Sequence, residues 1–435
     1  MDKLEFKRFF RACNPAKTLN ISDPQDKKYY IDFSGVRAAE ILEELGQNIV
    51  LSHPDPTCQL FTGHIGCGKS TELLRLKSDL EQQGFHVVYF ESSQDMDMGD
   101  VDISDILLAI ARQVEESLGA VGINLKGSYF NNLLQEAADF LQTPIELGGV
   151  EAEVSFGIGK LTAKTKESPQ LRSRLRQYLE PKTEGLINAL NKELLIPAGE
   201  AIARKGGEGL VAIVDNLDRV DNRPTSSGKT LPEYLFADRG EQLARLRCHL
   251  VYTIPLVLMF SNELAAIKNR FGGNRPAVLP MVPVRDKNGS ICEEGMQLLR
   301  EMVLARAFPN LAPDDRFASI EKLFDSPDTL DYLCRMSGGH VRNLLRWLHD
   351  CLRKRNPLPI AAQTLETVIG RERDDLLGTI TDDEWELLRK VRSTHKVTGE
   401  QESQTLLRSL FVFEYRNGGR WFDVNPLLEE APELQ

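Results

Sequence analysis

The stretch GHIGCGKST, residues 63–71, places glycines at 63, 66 and 68 ahead of Lys69, Ser70 and Thr71, the spacing GxxxxGK[ST]. Glycines at those positions let the backbone of Gly63, His64, Ile65, Gly66, Cys67 and Gly68 curl so that its N–H groups face phosphate oxygens. Lys69 adds a point charge for a β- and γ-phosphate, and Ser70 offers a hydroxyl to Mg²⁺. A helix starting at Ser70 aims its positive end at the same anion. Downstream, VAIVDNLDRV (211–220) is an apolar run that stops at Asp215, with Asn216 and Asp218 just beyond. An acid at the tip of a strand neighbouring such a loop holds Mg²⁺, usually through water. Asp218 then either orients and polarises an attacking water or caps the turn that follows.

Those residues need elements to hold them. TCQLFTG (57–63) reads as a strand running into the loop, TELLRLKSDLEQQG as the helix after it, ending on Gly84. FHVVYFES (85–92) is a second strand, and DISDILLAIARQVEESLG a second helix. This alternation predicts a parallel, doubly wound sheet. It breaks between 120 and 207, read as an insertion carrying a β-hairpin at 150–166 and helices beginning at Ser168-Pro169 and at TEGLINALNKELL. GLVAIVDNL resumes the sheet, CHLVYTIP (248–255) continues it and PAVLPMVPV (276–284) is the expected last strand. A helix with a Ser34 cap is expected over 34–49. Beyond 290 the pattern is helical, and it closes with TDDEWELLRKVRS, SQTLLRSL and two aromatic-rich strands around Asn417-Gly418-Gly419, a strong hairpin signal. Helix, helix and a two-stranded wing outline a winged-helix domain. The expected divisions are an N-terminal segment 1–50, a sheet domain 51–285, a helical lid 286–375 and the winged helix 376–435.

The 435 residues are 41% hydrophobic, enough for a buried core, and carry a net charge of -11, which argues against a protein that coats nucleic acid. No run approaches the ~20 apolar residues of a membrane helix, and MDKLEFKRFF lacks a signal-peptide core. Seven cysteines without CxxC spacing read as reduced thiols of a cytoplasmic protein.

The order of phosphate loop, VAIVDNLD, a further strand and a helical lid resembles the AAA+/STAND superfamily of P-loop NTPases, particularly its STAND, KAP and origin-initiator branches. The fold implied is α/β: a P-loop NTPase parallel sheet with a helical lid and a C-terminal winged-helix domain. ATP, rather than GTP, is implied by this resemblance alone, since no adenine-reading motif is legible. It also implies Thr253 as a polar sensor near the γ-phosphate, with a buried strand threonine as the alternative, and Arg342 in GGHVR as the lid arginine that reads nucleotide state. Arg270, with Arg275 as rival, matches an arginine finger acting in trans, although arginines are common at helix ends for their fit to the dipole. Many AAA+ proteins carry glutamate directly after the Mg²⁺-binding aspartate. Here that position is Asn216, whose amide cannot accept a proton from water, so slow hydrolysis is expected.

What the resemblance implies overall is a nucleotide-dependent assembly switch in signalling or defence, homo-oligomeric, with a protein partner. A DNA-binding initiator is the alternative, with Arg416 and Arg420 flanking the wing. Against it, the recognition-helix segment opens with Glu400 and Glu402, which suit phosphates poorly, and THKVTG is too short for a regular middle helix. A non-hydrolysing nucleotide-binding scaffold is the third reading.

Overall fold

The computed structural model describes residues 1–37, 41–123, 125, 136, 137, 140, 165–399 and 401–434. In chain order its main elements are α1 (Lys3–Ala12), α2 (Ile41–Ser52), β1 (Cys58–Gly63), α3 (Lys69–Gln82), β2 (His86–Glu91), α4 (Ile103–Ala120), α5 (Pro169–Leu179), α6 (Ile196–Arg204), β3 (Leu210–Asp215), β4 (His249–Thr253), α7 (Leu264–Arg270) and β5 (Ala277–Leu279). There follow α8 (Glu293–Ala307), α9 (Pro327–Met336), α10 (Val341–Leu352), α11 (Ala362–Leu377), α12 (Asp382–Thr394), α13 (Gln401–Arg408), β6 (Val412–Tyr415) and β7 (Trp421–Val424).

The chain forms two compact units. One, Glu43–Thr62 with Leu76–Ala277, carries most of the sheet; the other joins Met1–Leu42, Gly63–Arg75 and Val278–Gln435. Strand order is β2-β3-β4-β1-β5, with β2–β3, β3–β4 and β4–β1 parallel. The fold class expected from the alternation, a parallel α/β sheet with a phosphate loop after its first strand, is the one observed. In β3 every residue from Leu210 to Asp215 is buried, which its unbroken apolar sequence requires of a strand covered on both faces. β4 lies between β3 and β1, so the Asp215 strand is not the immediate neighbour of the loop strand, as had been expected. β5 covers only three of the nine residues expected there, because Pro280 and Pro283 have no N–H to donate to a ladder.

In the sheet unit, one core runs through Leu60, Val88, Leu107, Leu186, Ala212 and Phe271. α4 starts on a capping box between Asp102 and Asp105. α5, from the expected insertion, is fixed to the loop after β2 by Arg172. That guanidinium, 3% exposed, pairs with Asp97 (2.8 Å) and Asp100 (3.0 Å) and donates to the carbonyls of Thr165 and Lys166. Arg176 and Arg223 also pair with Asp100. Burial pushes the Asp100 carboxyl up, but hydrogen bonds from Arg176 and Arg172 prevail and hold it at about 2. The hairpin expected at 150–166 lies outside the described residues as far as 164, and residues 165 and 166 are helical.

In the other unit, Phe9, Leu299, Leu333, Trp347, Ile369 and Leu427 share one core, joining α1 to helices α8–α11 and the turn after β7. Buried Arg306 on α8 donates to the carbonyls of Ala12 and Tyr29, pinning the N-terminal segment. Of the helix expected over 34–49, Ser34–Val36 forms a short turn and Ile41–Ser52 is helical, while residues 38–40 lie outside the described residues. α12 opens on a Thr381–Glu384 capping box. Residues 395–399 contain no regular helix, and α13 leads into the antiparallel pair β6–β7, in which Glu414 faces Phe422. Two helices and a two-stranded antiparallel hairpin are thus present at the C-terminal end. Among the described residues no helix is long and apolar enough to cross a membrane, and all seven cysteines are free thiols.

Candidate functional site

The loop 63–68 is held from outside through its carbonyls. Lys69 Nζ folds back to donate to the carbonyls of Gly63 (2.8 Å) and His64 (2.9 Å). His340 Nε2 donates to Ile65 O (2.8 Å), the Arg342 N–H to Gly66 O (3.2 Å) and Arg37 Nη2 to Cys67 O (2.9 Å). Five consecutive carbonyls are therefore engaged by donors from α3, the first turn of α10 and the N-terminal segment. In a planar trans peptide the N–H lies opposite the C=O. Holding the carbonyls of Ile65, Gly66 and Cys67 on one side thus turns the N–H groups of Gly66, Cys67 and Gly68 the other way, and Cys67 uses its own to close the turn onto His64 O (3.2 Å).

Gly66 shows why the motif demands glycine. Its φ is 88°, and a Cβ would stand 2.6 Å from the His340 ring. Gly339 has the same logic on the lid side: its φ is 75°, and a Cβ would meet Val282 O at 1.7 Å. The Gly-Gly turn is what brings α10 this close.

His340 occupies the N-cap of α10, where its Nδ1 accepts the Asn343 N–H (3.0 Å). Because Nδ1 accepts the Asn343 N–H it carries no proton, which fixes the neutral state, and the ring's one proton sits on Nε2, where it is donated to Ile65 O. Burial lowers the His340 pKa to about 4. His64 is 2% exposed, and its Nε2 accepts the N–H of Glu414 in β6 (3.0 Å). Burial, with His340 and Lys69 nearby, lowers its pKa to about 3. The Phe413 ring lies between the two, stacked on His340 and edge-on to His64, each 5.9 Å away between centroids.

Beside Gly68 and Thr71 a cavity opens, lined by Tyr29, Tyr30, Ile31, Phe33 and Val341 among others. Across it Tyr30 OH donates to Glu72 (3.3 Å), which Arg75 also holds (3.1 Å). Burial raises the Glu72 carboxyl, with Arg37 and Arg75 opposing. Neither this cavity nor Arg37 and His340 were anticipated; the aromatic run Tyr29-Tyr30-Ile31-Asp32-Phe33 was the available signal.

The acids belong to the sheet unit. Asp215, 1% exposed, accepts from Tyr89 OH (2.8 Å) and from the Asn216 N–H (2.7 Å). Asn216 has left-handed backbone, φ 67°, which asparagine tolerates better than other non-glycine residues. Asp218, 8% exposed, is the middle residue of the turn Leu217–Arg219; the cap position of that turn is Asn216, which makes no side-chain cap bond. Thr253 is fully buried, and its Oγ1 accepts the Leu217 N–H (3.0 Å), so it fastens the turn that carries Asp218. Arg270 ends α7 with its guanidinium on Glu241 (3.0 Å), an exposed pair of the kind worth ~0–1 kcal/mol. Arg275 is exposed.

Arg416 and Arg420 do not present free charge on the wing. Both pair with the fully buried Glu414 carboxylate, at 3.0 and 3.1 Å. The side chains of Glu400 and Glu402 lie outside the described residues.

No protein-family model and no curated protein matches the chain. Several solved structures are similar to it over most of its length. The Orc1 protein of Aeropyrum pernix, in complex with DNA, is 14% identical over 91% of this chain and 93% of that one, with a TM-score of 0.37. The Orc2 protein of the same organism, in ADPNP–ADP complexes, is 10% identical over 90% and 91%, with a TM-score of 0.41. A Walker-type ATPase of Pyrococcus abyssi is 10% identical over 95% and 97%, with a TM-score of 0.42.

Proposed function

We propose that this chain is an AAA+-type P-loop ATPase that binds ATP with Mg²⁺ at residues 63–71, hydrolyses it slowly and serves as a nucleotide-dependent assembly switch. The observation that carries this reading is the outward clamp on the carbonyls of residues 63–67. It shapes the loop for anions rather than cations, and Lys69 and the N-terminus of α3 supply positive potential beside it. Ser70 and Asp215 are the residues that would hold Mg²⁺, which when bound neutralises phosphate charge. Arg342, whose N–H holds Gly66, suits the reading of nucleotide state by the lid.

In this reading Asp218, fixed by way of Thr253, orients the attacking water. Asn216 cannot take its proton, so turnover is slow. Arg270 is weakly enough held to reach a second copy, as an arginine finger would. Signalling or defence through a protein partner fits the local chemistry better than DNA contact, because Arg416 and Arg420 are committed to Glu414. The test is ATP turnover per subunit at rising protein concentration, with Lys69→Ala and Asp218→Ala alongside. Turnover that rises with concentration and disappears in both variants is expected. Turnover no higher than in Lys69→Ala would remove the hydrolysis claim.

A further inference from the structure

The C-terminal hairpin reaches the loop through main chain, not through an exposed charge. The Glu414 N–H is donated to His64, and the Glu414 carbonyl accepts the Met281 N–H (2.9 Å) just after β5. The neighbouring residues bind the lid turn: Tyr415 OH donates to Gly338 O (2.8 Å), and Phe413 stacks on His340. One four-residue strand thus touches the loop's own histidine and the turn that presents His340 and Arg342 to Ile65 and Gly66. The Glu414 side chain, 0% exposed, would be prohibitive to bury alone; Arg416 and Arg420 make the docked position tolerable.

We infer that the hairpin β6–β7 is a latch on the phosphate loop, and that its docking and phosphate occupancy of the loop stabilise each other. The β6 contacts brace His64 within the loop and the turn that carries the two carbonyl donors, His340 and the Arg342 N–H. A bound anion, by fixing the loop's N–H groups, fixes the same peptides from the other side. Linkage then makes the effect reciprocal. Phe413, Glu414, Arg416 and Arg420 are positioning residues, acting through His64 and His340. The inference rests on the function reading for its ligand.

The test uses the full chain and ADP with Mg²⁺. Amide hydrogen exchange of residues 412–424 is measured with and without saturating ADP. ADP affinity is measured for the unaltered chain, for Arg416→Ala/Arg420→Ala, and for that pair combined with Glu414→Gln. ADP is expected to slow exchange in the hairpin. The double variant should bind ADP roughly 5- to 30-fold more weakly, the range of a modest allosteric coupling. Glu414→Gln, which removes the buried charge but keeps the main-chain contacts, should restore most of the loss; a general packing defect would not be rescued in this way. Hairpin exchange indifferent to saturating ADP would overturn the latch even if the double variant fails to fold. So would a double variant with faster hairpin exchange and unchanged ADP affinity. If the unaltered chain binds no ADP, the function reading and the latch fall together; binding with an unresponsive hairpin removes the latch alone.

Discussion

Replacing His340 with asparagine separates the two jobs of its ring. Asparagine still offers an oxygen to the Asn343 N–H, so the helix cap survives. The donor to Ile65 O is lost, leaving a buried carbonyl without its partner, and so is the stack on Phe413. At pH 7.5 the variant should be less stable by about 1–3 kcal/mol. The pH dependence is the sharper signature. Burial depresses the folded-state pKa to about 4, below the ordinary value of about 6.5 for an unfolded histidine. The unfolded chain therefore takes up this proton first as pH falls. The ring's stabilisation is complete above about pH 6.5 and drains away between there and pH 4. By pH 4.5 the linkage relation gives a loss of about 2.5 kcal/mol that the asparagine variant does not share. The deficit of the variant should thus shrink with acidity and close near pH 4.5. Urea unfolding followed by tryptophan fluorescence at pH 7.5, 6.5, 5.5 and 4.5 measures it, since Trp347 sits in the same helix. A stability difference that stays constant across that range would refute the neutral, doubly bonded assignment of His340.

Arg172→Met removes Asp97's buried partner and the donor to the Thr165 and Lys166 carbonyls, while Arg176 and Arg223 still hold Asp100, so it should cost about 1–3 kcal/mol, visible as a lower melting temperature. Asn216→Glu places a residue poorly suited to left-handed backbone at φ 67°, costing about 1 kcal/mol. It also supplies the proton acceptor that Asn216 lacks, so ATP turnover should rise roughly tenfold or more; an unchanged rate in the folded variant would remove Asn216 as the cause of slow hydrolysis.

What could be read from the residues was the part written locally. Glycine spacing, a strand before it and a helix after it define the phosphate loop within twenty residues, and β3 announces itself by an unbroken apolar run. The capping signals of α5 and α12 and the Asn417-Gly418-Gly419 turn are local in the same sense. The loop's supports are not. Arg37, His340 and Glu414 come from segments 30 to 350 residues away from their partners, and a histidine at a helix N-cap looks the same whether it faces water or a phosphate loop. The partner of Arg416 and Arg420 was out of reach for a related reason: charge is legible in a sequence, but the burial of a glutamate two residues away from Arg416, in a strand that looks amphipathic, is not. The place of β4 between β3 and β1 is likewise a pairing decision that no single strand records.

The bond between His64 and the Glu414 N–H also has a consequence for biosynthesis. The two residues are 350 positions apart, and translation proceeds at roughly 5–20 residues per second. The phosphate motif thus leaves the ribosome roughly 20–70 s before the strand that steadies it. Through that interval a nascent chain carries the complete GHIGCGKST signature without its full support. In the proposed reading, full competence to hold a nucleotide waits for the hairpin, and a product terminated before it would display the motif without the strand that steadies it.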